Sequence, residues 1–150
     1  MQKVSFIVPV VPASMQGAGK RAMSMGGRVV FFKEKRAKDY EAVIKFYASP
    51  HIPKEKFVGA TKLTIAFVLK RPISLNSKKF SQGRIPATKR PDLDNLVKFS
   101  VQDCLNEFWE DDSLVTQLIA SKWYAAIDET PKIEITIEPI NQTYEQQESI

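Results

Sequence analysis

The alternation and clustering of apolar positions lays out most elements of this chain. Val4-Ser5-Phe6-Ile7-Val8 predicts a strand, closed by Pro9 and Pro12. Residues 13–27 mix small residues, Gly and Met with Lys20 and Arg21, and predict a long mobile loop. Arg28 to Phe32 predicts a short strand, one arm of a hairpin. From Lys33 to Ala48 the spacing predicts a helix. Tyr40, Val43, Ile44, Phe46 and Tyr47 would form its core face, and Lys33, Lys35, Arg36 and Lys38 a solvated face. Leu63 to Leu69 is apolar on both faces and predicts a strand central in its sheet. Leu93, Leu96, Val97, Val101, Cys104, Leu105 and Phe108 fall on one stripe of a second helix. Pro91 disfavours helix at Arg90, so that helix should start at Asp92 to Asp94. Leu114 to Tyr124 predicts a strand, and Lys132 to Glu138 alternates as a half-exposed one, stopped by Pro139.

The fold class that follows is mixed α/β (α+β): a single layer of about four to five strands packed with two principal helices. The 150-residue length suits one domain. We place that domain at residues 1–140, with a polar C-terminal tail at 141–150.

Composition narrows the partners. The formal net charge is +5, a mild pointer to a polyanion, because Lys and Arg bind nucleic acid by neutralising phosphate. The single cysteine, Cys104, lies on the apolar stripe and reads as a small buried hydrophobe, consistent with a reducing compartment. No apolar run approaches the ~20 residues of a membrane span, and the expected location is the cytoplasm. His51, the only histidine, sits between prolines in a loop and is left out of any site.

Two acidic clusters carry the candidate chemistry. The first is the stretch Lys89-Arg90-Pro91-Asp92-Leu93-Asp94-Asn95-Leu96-Val97-Lys98; the second is Glu110-Asp111-Asp112 beyond the helix. One aspartate at a helix start can cap exposed amides. Capping does not call for two aspartates spaced by one, with Lys98 a turn after Asp94 on the same margin of the stripe. Asp103 falls on the other side of the wheel and is excluded. Neighbouring carboxylates repel, so a cation should compensate, and hard oxygen ligands suit Mg²⁺, with Mn²⁺ possible. We expect the two clusters to meet in space and hold that cation. Lys98 would then offset phosphate charge or orient the nucleophile.

The segment feeding the first cluster is cationic. From Lys70 to Pro91 it contains seven bases (Lys70, Arg71, Lys78, Lys79, Arg84, Lys89 and Arg90) and no acid. We read these seven as a loop that grips phosphate.

Other readings fail on the residues. An EF-hand loop starting at Asp92 would place Val97 at its glycine position and Asp103 at its terminal glutamate position. One Cys and one His exclude a zinc site. An Asp-x-Asp glycosyltransferase would need a nucleotide-binding half for which this chain is short. The Asp/Glu-x-Lys element of another nuclease class is absent. A junction-binding protein without cleavage stays open, although clustered acids would weaken its grip on phosphate.

The ordered set Pro9, Pro12, Ser14, then Asp92-Leu93-Asp94-Asn95-Leu96-Val97-Lys98, Asp103, Leu105, Trp109, Asp111-Asp112-Ser113, Val115 and Lys122 resembles the RusA family of Holliday junction resolvases. The resemblance spans most of the chain. It implies Asp92, Asp94 and Asp112 as catalytic metal-binding carboxylates, with Asp111 the runner-up to Asp112, and Lys98 as the catalytic lysine. It implies phosphate contact for Lys122, a homodimer, and paired symmetric nicks in a four-way DNA junction. A less selective phage nuclease acting on branched DNA is the alternative within this chemistry. The chain departs from the family at Pro12-Ala13-Ser14-Met15-Gln16, where an Asn often follows; that leaves junction or sequence selectivity open.

Overall fold

In a computed structural model, residues 2–15, 21–32 and 35–141 are described. The strands are β1 (Val4–Val8), β2 (Arg21–Met25), β3 (Arg28–Phe32), β4 (Thr61–Leu69), β5 (Ile85–Pro86), β6 (Val115–Tyr124) and β7 (Lys132–Pro139). The helices are α1 (Lys35–Ala48) and α2 (Leu93–Leu96); α2 continues into a π-type turn, Val97–Val101, and a 3-10 turn, Gln102–Cys104. The fold is α+β.

Five strands form one mixed sheet in the order β1-β7-β4-β6-β5, and β2 and β3 form a separate hairpin. β4 is central, antiparallel to β7 and parallel to β6. Two parallel neighbours cannot be joined by a tight turn and need a crossover. Here the crossover is the chain between Leu69 and Val115, so it carries both the basic segment and the two acidic clusters.

Alternation decides which face of the sheet is core. Leu63, Ile65 and Phe67 of β4 stand in register with Ile137, Ile135 and Ile133 of β7, and all six are buried. Phe6 and Val8 extend the same face onto β1. Against it pack Ala37, Tyr40, Ile44 and Ala48 of α1, together with Leu96, Val97, Val101, Leu105 and Phe108. Burying each large side chain contributes about 1.5–3 kcal/mol before conformational entropy is subtracted. The expected apolar stripe of the second helix is thus realised, and Cys104 is buried with it.

Three expectations are corrected. The segment read as a loop contains β2, paired residue for residue with β3. Gly26 and Gly27 make the connecting turn at φ 58° and 80°, the positive-φ pair that a tight hairpin requires. Residues 16–20 of that segment, Lys33, and the tail beyond Asn141 lie outside the described residues. In α1, Phe46 and Tyr47 are exposed, at 70% and 39%. They fall off the stripe that Ala37, Tyr40, Ile44 and Ala48 trace at three- and four-residue spacing, and instead make an edge-to-face pair. Finally, the regular second helix does not run on to Phe108; it loosens after one turn. π-type turns inside helices occur often at functional sites.

Candidate functional site

The acidic stretch is held from below by β6. The Lys122 ammonium donates to the carbonyl oxygens of Lys89 at 2.6 Å and Pro91 at 2.8 Å. One step along the edge, Ala87 N–H donates to the Lys122 carbonyl at 3.2 Å. Lys122, expected to contact phosphate, therefore has its donors turned toward the backbone that precedes Asp92.

Asp92 occupies the position that starts α2. Its backbone is extended and its carbonyl accepts from Leu96 N–H at 3.1 Å, yet its side chain makes no capping bond. The capping role open to it in the sequence is not taken. Asp94 lies in the first turn of α2. Both residues are exposed, and neither carboxylate has a hydrogen-bond or ion-pair partner among the described residues. Leaving two carboxylates one residue apart without a counter-charge is costly unless solvent or a cation compensates. Lys98 is exposed in the following π-type turn.

Asp92 opens onto a shallow recess of about 710 Å³ lined also by Pro12, Ala13, Ser14, Arg36, Arg90, Pro91 and Asn95. The Pro12–Ser14 turn is held there by Tyr40 of α1, whose hydroxyl accepts from Ala13 N–H at 3.1 Å. The sequence placed Arg36 on a solvated helix face. It is exposed, but it shares this recess with Asp92. No local signal in the chain foretells that, because the recess forms only when α1 and the crossover approach each other.

The second acidic cluster opens elsewhere. Asp111 caps the short 3-10 turn Asp112–Leu114: its side chain accepts from Ser113 N–H at 3.1 Å and from the Ser113 hydroxyl. The Ser113 hydroxyl and amide hold the Asp111 carboxyl below its ordinary pKa. Asp112, an exposed residue, accepts the indole N–H of Trp109 on Oδ1 at 2.8 Å. Trp109 is itself buried and bridges to Phe57, whose carbonyl accepts from Glu110 N–H at 3.0 Å. Asp111 and Asp112 line a recess with Lys56, a cation the sequence reading did not single out.

Among the described residues no three His, Cys, Asp or Glu side chains lie close enough together to hold a metal. The expected convergence of Asp92, Asp94 and Asp112 is therefore not formed in this conformation of the single chain. The two acidic clusters sit on different recesses, separated by the helical segment and the Trp109 turn. The donor chemistry still suits a hard cation of the Mg²⁺ type, which binds through one or two carboxylates and completes its shell with water and phosphate.

The basic segment divides sharply. Arg71 is buried, and its guanidinium donates to the carbonyls of Leu75 (2.7 Å), Ser81 (2.6 Å), Gly83 (3.0 Å) and Ala125 (3.3 Å). Arg84 grips Glu129 through two parallel bonds of 2.9 and 2.6 Å and reaches Glu134 at 2.8 Å. These carboxylates push the Arg84 pKa further up, and Arg84 in turn pulls Glu129 down to about 2. Arg71 and Arg84, both read as phosphate contacts, instead have their donors committed within the fold and give the segment its shape. Lys70, Lys78, Lys79, Lys89 and Arg90 are exposed. His51, left out of the site, stacks on Phe6 with ring centroids 5.0 Å apart.

Comparison with known proteins places residues 9–138 within the sequence family described as Endodeoxyribonuclease RusA. A curated relative from Bacillus subtilis (strain 168), the uncharacterized protein YqaN, is 31% identical over 127 residues, covering 81% of this chain and 87% of the relative. The family match takes in the first acidic stretch, the Trp109 turn and Lys122. No helix among the described residues is long and apolar enough to cross a membrane.

Proposed function

The chain belongs to the RusA endodeoxyribonuclease family, and from that premise we propose that it is a metal-dependent, structure-selective nuclease that resolves four-way DNA junctions by paired symmetric nicks. The observation that carries this reading is the state of Asp92 and Asp94. Both carboxylates are exposed and without partners among the described residues, in a stretch flanked by Lys89, Arg90 and Lys98. A protein that only gripped phosphate would gain nothing from two acids without bonded partners at that place.

Asp92 and Asp94 would hold Mg²⁺, or Mn²⁺, and the second carboxylate oxygen of Asp112 would join them if the two recesses close together over DNA. Bound there, the cation would supply an activated water and stabilise charge on the phosphodiester. Asp111 stays with its cap, since Ser113 already occupies it. The side chain of Lys98, one turn beyond Asp94, would offset charge on the scissile phosphate or orient the attacking water. Lys122 holds the backbone on which Asp92 sits and so acts through position. Lys70, Lys78, Lys79, Lys89 and Arg90 would contact phosphates along the arms.

We propose a homodimer located in the cytoplasm. A two-fold dimer offers two identical sites to a two-fold junction. The edge of β6 that faces away from β4 supports it: on that side β5 pairs only with Trp123 and Tyr124, and among the described residues no strand pairs there with residues 115–120. Leu118 and Ile119 on that stretch are half exposed, at 50% and 51%. An open edge bearing apolar side chains is a template for pairing with a second chain. Trp123, at the covered end of this edge, is half buried with its indole N–H donating to the Ser121 hydroxyl.

The test is incubation of the wild type and Asp94→Asn with a labelled four-way junction and a matched linear duplex, with and without Mg²⁺. Paired symmetric nicks confined to the junction, requiring Mg²⁺ and Asp94, are expected, with junction affinity in the variant kept or improved. Binding without cutting by the wild type in Mg²⁺ or Mn²⁺ would replace the nuclease with a junction-binding protein. Equal cutting of both DNAs would replace the resolvase with a less selective nuclease.

A further inference from the structure

Most arginines of the crossover have their donors bound inside the protein: Arg71 to four carbonyls and Arg84 to two glutamates. Two arginines facing the Asp92 recess do the opposite. Arg36, in the first turn of α1, and Arg90, two residues before Asp92, line the same recess, and their guanidinium groups make no hydrogen bond or ion pair with any described residue. They do not pair even with Asp92, which lines the same recess. A guanidinium presents a planar fork of donors suited to phosphate oxygens. Two such forks on one recess, with a single carboxylate, leave a surplus positive charge that a phosphodiester would neutralise.

The two forks come from different parts of the fold. Arg90 arrives on the crossover that Lys122 pins to β6. Arg36 arrives on α1, whose register is set by burial of Ala37, Tyr40 and Ile44 in the core. Tyr40 also anchors the Pro12–Ser14 turn that forms the far wall. Two anchored elements meeting at one recess resist the slack that a surface arginine otherwise has.

We propose that Arg36 and Arg90 form a two-armed clamp for one DNA phosphodiester next to Asp92, with Arg36 a substrate-positioning residue contributed by α1. This rests on the nuclease reading and adds to it a contact from outside the basic crossover. The clamp sets where the strand lies relative to Asp92 and Asp94. Losing it lowers cleavage by misplacing the strand as well as by weakening the grip.

The experiment has two arms. In the first, the dinucleotide dTpdT, which carries one phosphodiester, is titrated into metal-free protein while the arginine Nε–H resonances are followed by NMR. Saturable shifts of both Arg36 and Arg90 are expected, each lost or weakened when the other is changed to Ala, with none on Lys45→Ala, a change at an exposed site in the last turn of α1. A shift at Arg90 alone, or at neither, overturns the clamp. In the second arm, junction binding is measured across a salt series. Arg36→Ala should lower affinity about tenfold and reduce the salt slope by about one, and Arg36→Lys should restore the slope but not the cleavage rate. Equal slopes for wild type and Arg36→Ala, with circular dichroism showing both folded, also overturn it. If dTpdT shifts both arginines but the wild type cuts no DNA under any metal, the clamp stands and the nuclease reading falls.

Discussion

Lys122 Nζ lies 2.8 Å from the carbonyl oxygen of Pro91, the residue before Asp92. A cation that sequence resemblance assigns to phosphate is here a strut between β6 and the acidic stretch, with a second bond to the Lys89 carbonyl at 2.6 Å. Lys122→Met keeps the stem and removes the bonds. Cleavage should fall about tenfold or more, as expected for loosened positioning, while the salt slope of DNA binding stays at the wild-type value. A slope lower by about one would return Lys122 to the phosphate-contacting set.

Lys78 and Lys79 are exposed in the basic segment, with the Lys79 ammonium 5.6 Å from the centre of the Phe80 ring. Changing both to Ala should weaken DNA binding for every sequence alike and lower the salt slope by about two. Thermal stability should hardly change, since surface substitutions away from special contacts cost within about 0.5 kcal/mol. An unaltered slope would make this part of the segment a connector.

Arg71 is the opposite case. Its guanidinium is buried against four carbonyl oxygens contributed by residues 75, 81, 83 and 125. Arg71→Ala removes a charged donor from all of them and should destabilise the fold by about 3 kcal/mol, the scale of a few charge-assisted bonds partly replaced by water. Urea unfolding measures it. A loss under about 0.5 kcal/mol would show that the segment keeps its shape without Arg71.

Glu129 gives the fold an acid sensitivity. Hydrogen bonds from Arg84 are the largest cause of its depressed pKa, about 2 against an ordinary 4.5, with further bonds from Ala126 N–H and Lys132. A carboxylate with a lowered folded-state pKa stabilises the protein above its unfolded value and loses that contribution as pH falls. The wild type should therefore lose on the order of 1–2 kcal/mol between pH 5 and 2 through this group, after allowance for solvent screening around Arg84. Glu129→Gln should be less stable at pH 6 and should lack that part of the acid loss. Parallel stability-against-pH curves for the two proteins would assign the acid sensitivity to other groups.

The local pattern of this sequence determined its core. Period-two alternation in Lys132 to Glu138 set which isoleucines face the helices, and the double-sided apolar run Leu63 to Leu69 put β4 at the centre of the sheet. Four-residue spacing likewise buried Val97, Val101 and Leu105 even where the helix loosens into a π-type turn. These features follow from neighbours in sequence, because the period of side-chain direction is a property of the backbone. The hairpin turn at Gly26-Gly27 is equally local, but the segment before it read as a loop, because its small residues and methionines carry no strand alternation.

Partner choice for long charged side chains was decided only by the tertiary structure. Arg71 and Arg84 read as DNA-binding in a basic segment and Lys122 by resemblance, but carbonyls and carboxylates brought in from up to 54 residues away occupy them. Arg36 read as solvated and lines the Asp92 recess, because α1 is carried to the crossover by its buried face. Asp111 and Asp112 were ranked in the sequence by resemblance alone; in the structure Ser113 engages the first and the Trp109 indole the second. A lysine or arginine reaches far on a flexible stem, so its role depends on what the fold places within that reach, which no local pattern records.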